Sequence, residues 1–207
     1  MFAKARQVKS LDKIPSFGNL DDTPRGRVLR AAAHLFRVQG YSGTTVREIA
    51  ALVGIQSGSL FHHFRSKEEI LFVVMKEVII YNTEMIEAAL AAGAAPAPVE
   101  RLRALIFSEL TAINGITRDA MTVLVFEWES VSREHRDELE ALRLVYERYW
   151  LDTLEEIRGG LGWEEPASVR RSLLRGGIAW TATWYRREGG MGLDGLAKIV
   201  LAMAMGH

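Results

Sequence analysis

Apolar residues recur at intervals of three and four along most of the chain, and nowhere alternate long enough to make a strand. Val28, Leu29, Ala32, Leu35 and Phe36 form the first helical stripe. Asp22 or Thr23 can cap it, Pro24 occupies its first position, and Gly40 ends it. Thr45 followed by Glu48 is a capping box ahead of Ile49, Ala50 and Val53, and Gly54 supplies the permissive backbone of a sharp turn. Ile55 and Leu60 are the next apolar anchors, with Gln56, Ser57, Gly58 and Ser59 small or polar between them. This pattern predicts a helix-turn-helix over Thr44 to Phe64, its second helix running roughly from Ser57 to Phe64. Ser66 and Glu69 make a second capping box, opening a long helix through Leu71, Val74, Val78, Ile79, Ile86 and Leu90 that the stretch AAGAAPAP breaks.

The remainder is helical with short interruptions. Leu102, Leu105, Ile106 and Leu110 share one face. After Gly115 and Thr117, the segment Met121 to Val131 is apolar on most sides and is expected to be buried. Ser132 can cap a helix carrying Leu139, Leu142, Tyr146, Trp150, Leu154 and Ile157, which Gly159, Gly160 and Gly162 end. Pro166 opens another with Val169, Leu173, Ile178, Trp180, Trp184 and Tyr185, closed by Gly189-Gly190. Leu193, Leu196, Ile199, Val200 and Met203 mark the last. The expected fold is all-α, with about nine helices.

Composition narrows the chemistry. Of 207 residues 48% are hydrophobic, enough for a substantial core, and none is Cys, which excludes disulfides, thiolate zinc sites and a cysteine nucleophile. Net charge is zero, but residues 1–71 carry 11 Lys/Arg against 6 Asp/Glu, and the rest carry 15 against 20. A basic end beside an acidic remainder suggests that one end meets a polyanion; chance scatter is the plain alternative. The first twenty residues lack an apolar signal core and no stretch approaches ~18 apolar residues, so a cytoplasmic protein without a membrane partner is expected. No Ser-His-Asp set, metal-ligand spacing, nucleotide loop or close carboxylate pair stands out, so no enzyme and no cofactor are expected. His62 and His63 are adjacent and point about 100° apart on a helix, against metal binding.

The pieces LRAAAHLF, GYSGTTVREIA, GIQSGSLFHHF and RSKEEIL follow one another within Arg27 to Leu71. In that order they resemble the DNA-binding domain of the TetR (tetracycline-repressor) family of bacterial transcriptional regulators. The resemblance implies a three-helix DNA-binding domain over 21–71, a linking fourth helix, and a larger helical ligand-binding and dimerisation domain over 72–207. It also implies a homodimer that binds a palindromic double-stranded DNA operator and releases it when a small-molecule effector binds. Phe61 departs from the family, which usually has Tyr there, so one phosphate contact is missing or passes to His62. More weakly, GGIAWTATWYRREGGMGLDGLAKIV and REHRDELEALRLVYERYW resemble a subgroup that often senses acyl-CoA thioesters.

The candidate DNA contacts follow from placement on the two helices. Gln56, Ser57 and Ser59 carry short or flexible donors and acceptors suited to base edges or phosphates, and Gly58 permits close backbone approach. Phe61 can lie against a thymine methyl or sugar, while His62 and His63 can donate to phosphate. Thr45 and Lys67 are further phosphate contacts, and Arg47, projecting from the first of the two helices, is a DNA-facing residue that adds charge. For Phe64, four residues after Leu60, a core role is favoured. The first twenty residues are expected to be a flexible arm, whose Lys4, Arg6, Lys9 and Lys13 either touch DNA or belong to a disordered terminus.

Phe126, Trp128, Tyr146, Trp150, Trp180 and Trp184 are candidates to line an effector cavity, plain core packing being the alternative. Arg143, Arg170, Arg171 and Arg175 are candidates to meet an acidic ligand group, but exposed helix charges paired with Glu or Asp are the favoured reading for each. Leu173, Ile178, Thr181 and Tyr185, with Leu196, Ile199, Val200 and Met203, form broad stripes that a two-fold interface would bury.

Overall fold

The computed structural model describes residues 10–91, 97–161, 163–186 and 188–206. Among the described residues are nine α-helices, two short 3-10 turns and no strand beyond one isolated bridge, Phe17 to Leu20. The helices are α1 (Pro24–Gln39), α2 (Val46–Val53), α3 (Ser57–Leu60), α4 (Lys67–Ala91), α5 (Pro98–Asn114), α6 (Arg118–Phe126), α7 (Arg133–Leu161), α8 (Ala167–Trp184) and α9 (Leu193–Met205). This is the all-α architecture that the periodicity predicts. None of these helices is long and apolar enough to cross a membrane.

The chain divides into two compact units. One comprises Met1–Tyr81 with Ile116–Ala141, the other Asn82–Gly115 with Leu142–His207, and the divisions at 81 and 141 fall inside α4 and α7. The first unit thus extends past the 21–71 segment expected from sequence. The reason is packing: α6 lies on α1, and Asp119 of α6 accepts hydrogen bonds from His34 Nδ1 at 2.8 Å and from Arg37 Nε. Burial pushes the Asp119 carboxyl up, but these two partners outweigh it and hold the group below its ordinary value. The start of α7 belongs here too. Glu68 Oε1 of α4 accepts from Ser132 N at 2.9 Å and pairs with His135 Nδ1 at 2.7 Å, while the His135 ring stacks on Phe72.

The local start signals act largely as expected. Thr23, not Asp22, caps α1, its hydroxyl accepting from Gly26 N at 3.0 Å. Ser66 caps α4, accepting from Glu69 N at 3.0 Å, but the second half of the box is displaced by one residue: Glu69 accepts from Arg65 N. Two helical expectations need correction. The segment Met121–Val131 is not uniformly buried, because α6 stops at Phe126 and leaves Val125 and Phe126 exposed before a 3-10 turn at Trp128–Ser130. Gly159 and Gly160 do not end α7, which runs to Leu161.

The flexible arm expected over 1–20 is also corrected for its described part. Lys4, Arg6 and Lys9 lie outside the described residues, and Lys13 is exposed at the end of a 3-10 turn, Leu11–Lys13. From there the chain is a packed strap. Leu11, Ile14, Phe17 and Leu20 are buried at every third position. Phe17 meets the Tyr81 ring at 5.2 Å and Asn19 Nδ2 donates to Glu77 Oε2 at 2.7 Å, both partners on α4. Apolar burial at four sites outweighs the freedom of a terminus.

In the second unit α5 packs against α8 and α9. Leu102, Leu105, Ile106, Leu110, Trp150, Leu154 and Ile178 are fully buried. Because Leu20 is also closed from solvent, Leu20→Ala is expected to lower unfolding free energy by about 2–5 kcal/mol in a urea titration. A free arm would give an unchanged midpoint.

Candidate nucleic-acid interface

A four-residue helix cannot sustain itself, since nucleation fixes more backbone than its few hydrogen bonds repay. The helix α3 is held by its neighbours instead. At the start of α2 the capping box is complete: Thr45 Oγ1 accepts from Glu48 N at 3.2 Å, and Glu48 Oε2 accepts from Thr45 N at 2.7 Å. The same carboxylate accepts a hydrogen bond from the Thr45 hydroxyl at 2.7 Å, and these bonds hold Glu48 below its ordinary value. At its end, Gly54 adopts φ 80 and ψ 32, and the amides of Gly54 and Ile55 both return to Ala50 O. This left-handed turn fixes the angle between the two helices. Leu60 and Phe64 are buried and anchor α3 from below.

The regular part of α3 is shorter than the Ser57–Phe64 expected. After Leu60 the amides of Phe61, His62 and His63 bond to carbonyls three residues back, so the chain continues as tightened turns. Gly58 and its two flanking serines favour α-helix weakly, which accounts for the early end.

The outward surface of this turn is exposed. Gln56, Gly58, Ser59, His62 and His63 are solvent-facing, Ser57 is half-buried, and Phe61 is 54% exposed. Phe64 takes the core position expected of it. A Cβ built on Gly58 meets nothing within 4 Å, so the fold itself leaves open space there. On α2, Arg47 and Thr45 are exposed, but the Thr45 hydroxyl is already engaged with Glu48. Lys67 is placed differently from a freely presented phosphate contact: Nζ donates to Tyr41 O and Thr44 O at 2.9 Å each, and sits 4.1 Å from the Tyr41 ring centroid.

The six aromatic residues proposed for an effector cavity fall into different surroundings. Phe126 and Trp128 belong to the first unit, where Phe126 is exposed and Trp128 half-buried. Tyr146 and Trp150 belong to the second, where Trp150 is fully buried and Tyr146 half-buried. Trp180 and Trp184 are exposed on α8, and Trp184 lines an open α8–α9 groove of about 650 Å³ with Leu173, Ile199 and Met203. Half of the expected interface stripe is buried within the subunit (Ile178, Thr181, Tyr185, Leu196), whereas Leu173 and Met203 are each 73% exposed.

The arginines also separate. Arg171 is buried, correcting its expected place among exposed helix charges. Its Nε and Nη2 bond to Glu147 at 2.6 and 3.0 Å, and its guanidinium lies 3.9 Å from the Trp150 ring centroid. Nη1 lies 3.0 Å from Glu109 Oε2, close enough for an ion pair but off line for a hydrogen bond. Tyr146 donates to Glu109 at 3.0 Å. Burial, then the neighbouring Glu147 charge, push Glu109 up against the opposing pull of Arg171. Arg170 instead pairs with Glu165, donates to Ala204 O and lies over Trp163, while Arg175 is exposed near Glu147. The sequence held a signal for this cluster: Glu109 stands seven residues after Leu102, on the apolar face of α5, where a carboxylate needs a buried partner.

Comparison with known proteins bears on both units. Residues 28–74 match the model for bacterial regulatory proteins of the tetR family, and residues 95–207 match a tetracyclin repressor-like C-terminal domain. The HTH-type transcriptional repressor KstR2 of Rhodococcus jostii (strain RHA1) is 31% identical over 189 residues, spanning 87% of this chain and 89% of its own. Among solved structures, superantigen PfiT is 46% identical with a TM-score of 0.72, covering 88% of this chain and 96% of its own. The ketosteroid transcriptional regulator KstR2 of Mycobacterium tuberculosis is 25% identical with a TM-score of 0.78, covering 91% and 96%.

The two glycines of the interface should respond oppositely to alanine. Gly58→Ala, in open space, is expected to keep stability or raise it by about 0.5–1 kcal/mol. Gly54→Ala, forced to a positive φ, is expected to lose about 1–2 kcal/mol. Chemical denaturation of both variants checks the contrast.

Proposed function

The chain belongs to the tetR family of bacterial regulatory proteins, and from that premise we propose that it is a ligand-responsive repressor acting as a homodimer on a palindromic operator. The coarser part is plain from its relatives: a DNA-binding transcriptional repressor of this family, not an enzyme. The observation that carries the site assignment is the solvent-facing turn from Gln56 to His63, rigidly held by Gly54, Leu60 and Phe64 and empty above Gly58. Gln56, Ser57 and Ser59 read base edges, Gly58 lets the backbone approach, and Phe61 lies against a thymine methyl or a sugar. His62, His63, Arg47 and Thr45 meet phosphate, Thr45 by turning its hydroxyl donor from Glu48 to the phosphate oxygen. Lys67 contributes positive charge while its ammonium holds the preceding loop. A repressor of this kind acts in the cytoplasm, where its operator lies.

Two-fold pairing through the α8–α9 groove is supported by its exposed apolar lining, and a dimer presents two reading heads to half-sites one helical turn apart, roughly 34 Å. The effector is an apolar acid derivative, with acyl-CoA thioesters as the leading class on the resemblance of Gly176–Val200. Ligand binding acts through the linking helix α4. Tyr146 and Trp150 belong to the polar cluster of the second unit, so the residues that line the effector site are a narrower set than the six aromatics.

A second reading is favoured by one observation: the 46% identical relative is a superantigen. On that reading the chain is a helical dimer that binds protein and no DNA. Fluorescence anisotropy with the gene's own upstream DNA separates the two. Repressor function predicts sequence-preferring binding that weakens by roughly 10³-fold or more between about 50 and 200 mM salt. No preference over scrambled DNA at any salt would leave the protein-binding reading.

The dimer has its own test. Leu173→Glu combined with Met203→Glu is expected to convert the protein to a folded monomer in sedimentation velocity and to abolish tight operator binding. A wild-type monomer at micromolar concentration would contradict the two-fold arrangement.

A further inference from the structure

The loop between α1 and α2 sets where the reading head begins, and one of its residues is gripped through both of its backbone polar groups. Tyr41 N donates to Glu127 Oε1 at 3.0 Å, and Tyr41 O accepts from Lys67 Nζ at 2.9 Å. The Tyr41 side chain is held as well, edge-on to Phe36 at 5.4 Å and beneath the Lys67 ammonium. From this residue the hold passes along only four residues to the α2 cap. Thr44 N donates to Tyr41 O at 3.2 Å, the buried Thr44 hydroxyl donates to Gly40 O at 2.8 Å, and Thr45 caps α2. The four hydrogen bonds and the cap leave this loop little freedom to move independently of its two anchors.

The anchors differ in origin. Lys67 is the first residue of α4 and adjoins the helix-turn-helix in sequence. Glu127 comes from a segment far along the chain, as the residue that ends α6, its own amide bonded to Val123 O at 2.9 Å. Its carboxylate is pre-aimed by the following 3-10 turn: Ser130 Oγ donates to Glu127 Oε2 at 2.9 Å and Ser130 N to Glu127 O at 2.9 Å. A carboxylate already held on one oxygen presents the other in a defined direction, and a charge-assisted bond to a backbone amide is stronger than a neutral one.

We propose that Glu127 is a positioning residue for operator binding, the point at which the end of α6 fixes the α1–α2 loop and therefore the pose of α2 and α3. The inference rests on the DNA-binding reading above and adds a residue that touches no DNA. Its consequence is mechanical. A shift of the α6 end that draws the carboxylate off Tyr41 N frees the loop at one anchor, and the head loses its fixed orientation while its fold stays intact.

The test uses the full-length protein with the operator fragment identified by anisotropy, and three variants. Glu127→Gln keeps an acceptor oxygen in place and is expected to bind within about threefold of wild type. Glu127→Ala removes the acceptor, and Glu127→Asp withdraws it by one methylene while keeping the charge; each is expected to weaken operator binding about tenfold. Hydrogen exchange at the Tyr41 amide should quicken in the Ala and Asp variants and stay slow in the Gln variant, with thermal midpoints within a few degrees of wild type. A purely structural role would instead lower the midpoint and the affinity together, and that result overturns the proposal. So does wild-type affinity in the Ala and Asp variants. If Glu127→Ala does not fold, Glu127→Asp carries the same prediction. Wild-type protein that binds no operator, with Tyr41 exchange still governed by residue 127, would refute the DNA-binding reading and leave the grip as architecture alone.

Discussion

The structure depends on holding a helix too short to hold itself. With four regular residues, α3 has almost no internal hydrogen bonding, and its position is set from outside. The left-handed Gly54 fixes its direction, while Leu60 and Phe64 bury its underside completely. This arrangement explains why the exposed side can be chemically unconstrained. The side chains of Gln56, Ser59, Phe61 and His62 face solvent, so they are free to be selected for what they touch. An ordinary amphipathic helix of ten residues would tie more of its outer positions to helix propensity.

Rigidity of the head is in turn drawn from residues distant in sequence. Asp119, Glu127, Ser132 and His135 all lie beyond residue 115, yet each meets α1, the α1–α2 loop or α4. All four links run through one of three carboxylates, Asp119, Glu127 or Glu68, and Asp119 and Glu68 are held below their ordinary range despite partial burial, because hydrogen bonds and cationic partners offset the lost hydration. Such pairs add modestly to stability and strongly to geometry, since each direction of approach is specified by both partners. The first unit is therefore a composite in which the motif supplies the reading surface and the later segments supply its frame.

What was legible in the sequence follows the same division. The caps at Thr23, Thr45 and Ser66, the turn at Gly54 and the core residues of α1 and α5 were all readable, because each depends on neighbours within a few positions. The strap was overlooked although Leu11, Ile14, Phe17 and Leu20 repeat at every third residue, a period shared by no regular amphipathic α-helix or strand. Glu127 stands beside Trp128 with Glu129 on the other side, and nothing near it in sequence marks Tyr41 N as its partner. The aromatic residues misled for a related reason. Helical spacing establishes that Trp150 and Trp180 lie on helices, but burial of one and exposure of the other depend on which helices pack against them.

The two faces of α8 show how far local preference can be overridden. On the inner face Arg171 is buried between Glu109 and Glu147 with Trp150 beneath it, a site where removing the arginine would strand its carboxylates. On the outer face Gly176 and Gly177 sit in mid-helix with nothing near a built Cβ. Each disfavours the helix by about 1 kcal/mol relative to alanine, and no contact within the subunit requires either. Leu173, Trp180 and Trp184 project from the same exposed side. A helix that carries two unneeded glycines among three exposed large apolar residues is shaped for close approach by another surface. In the proposed dimer the partner's helices lie in that shallow place, and the buried Arg171 cluster stiffens α8 from behind.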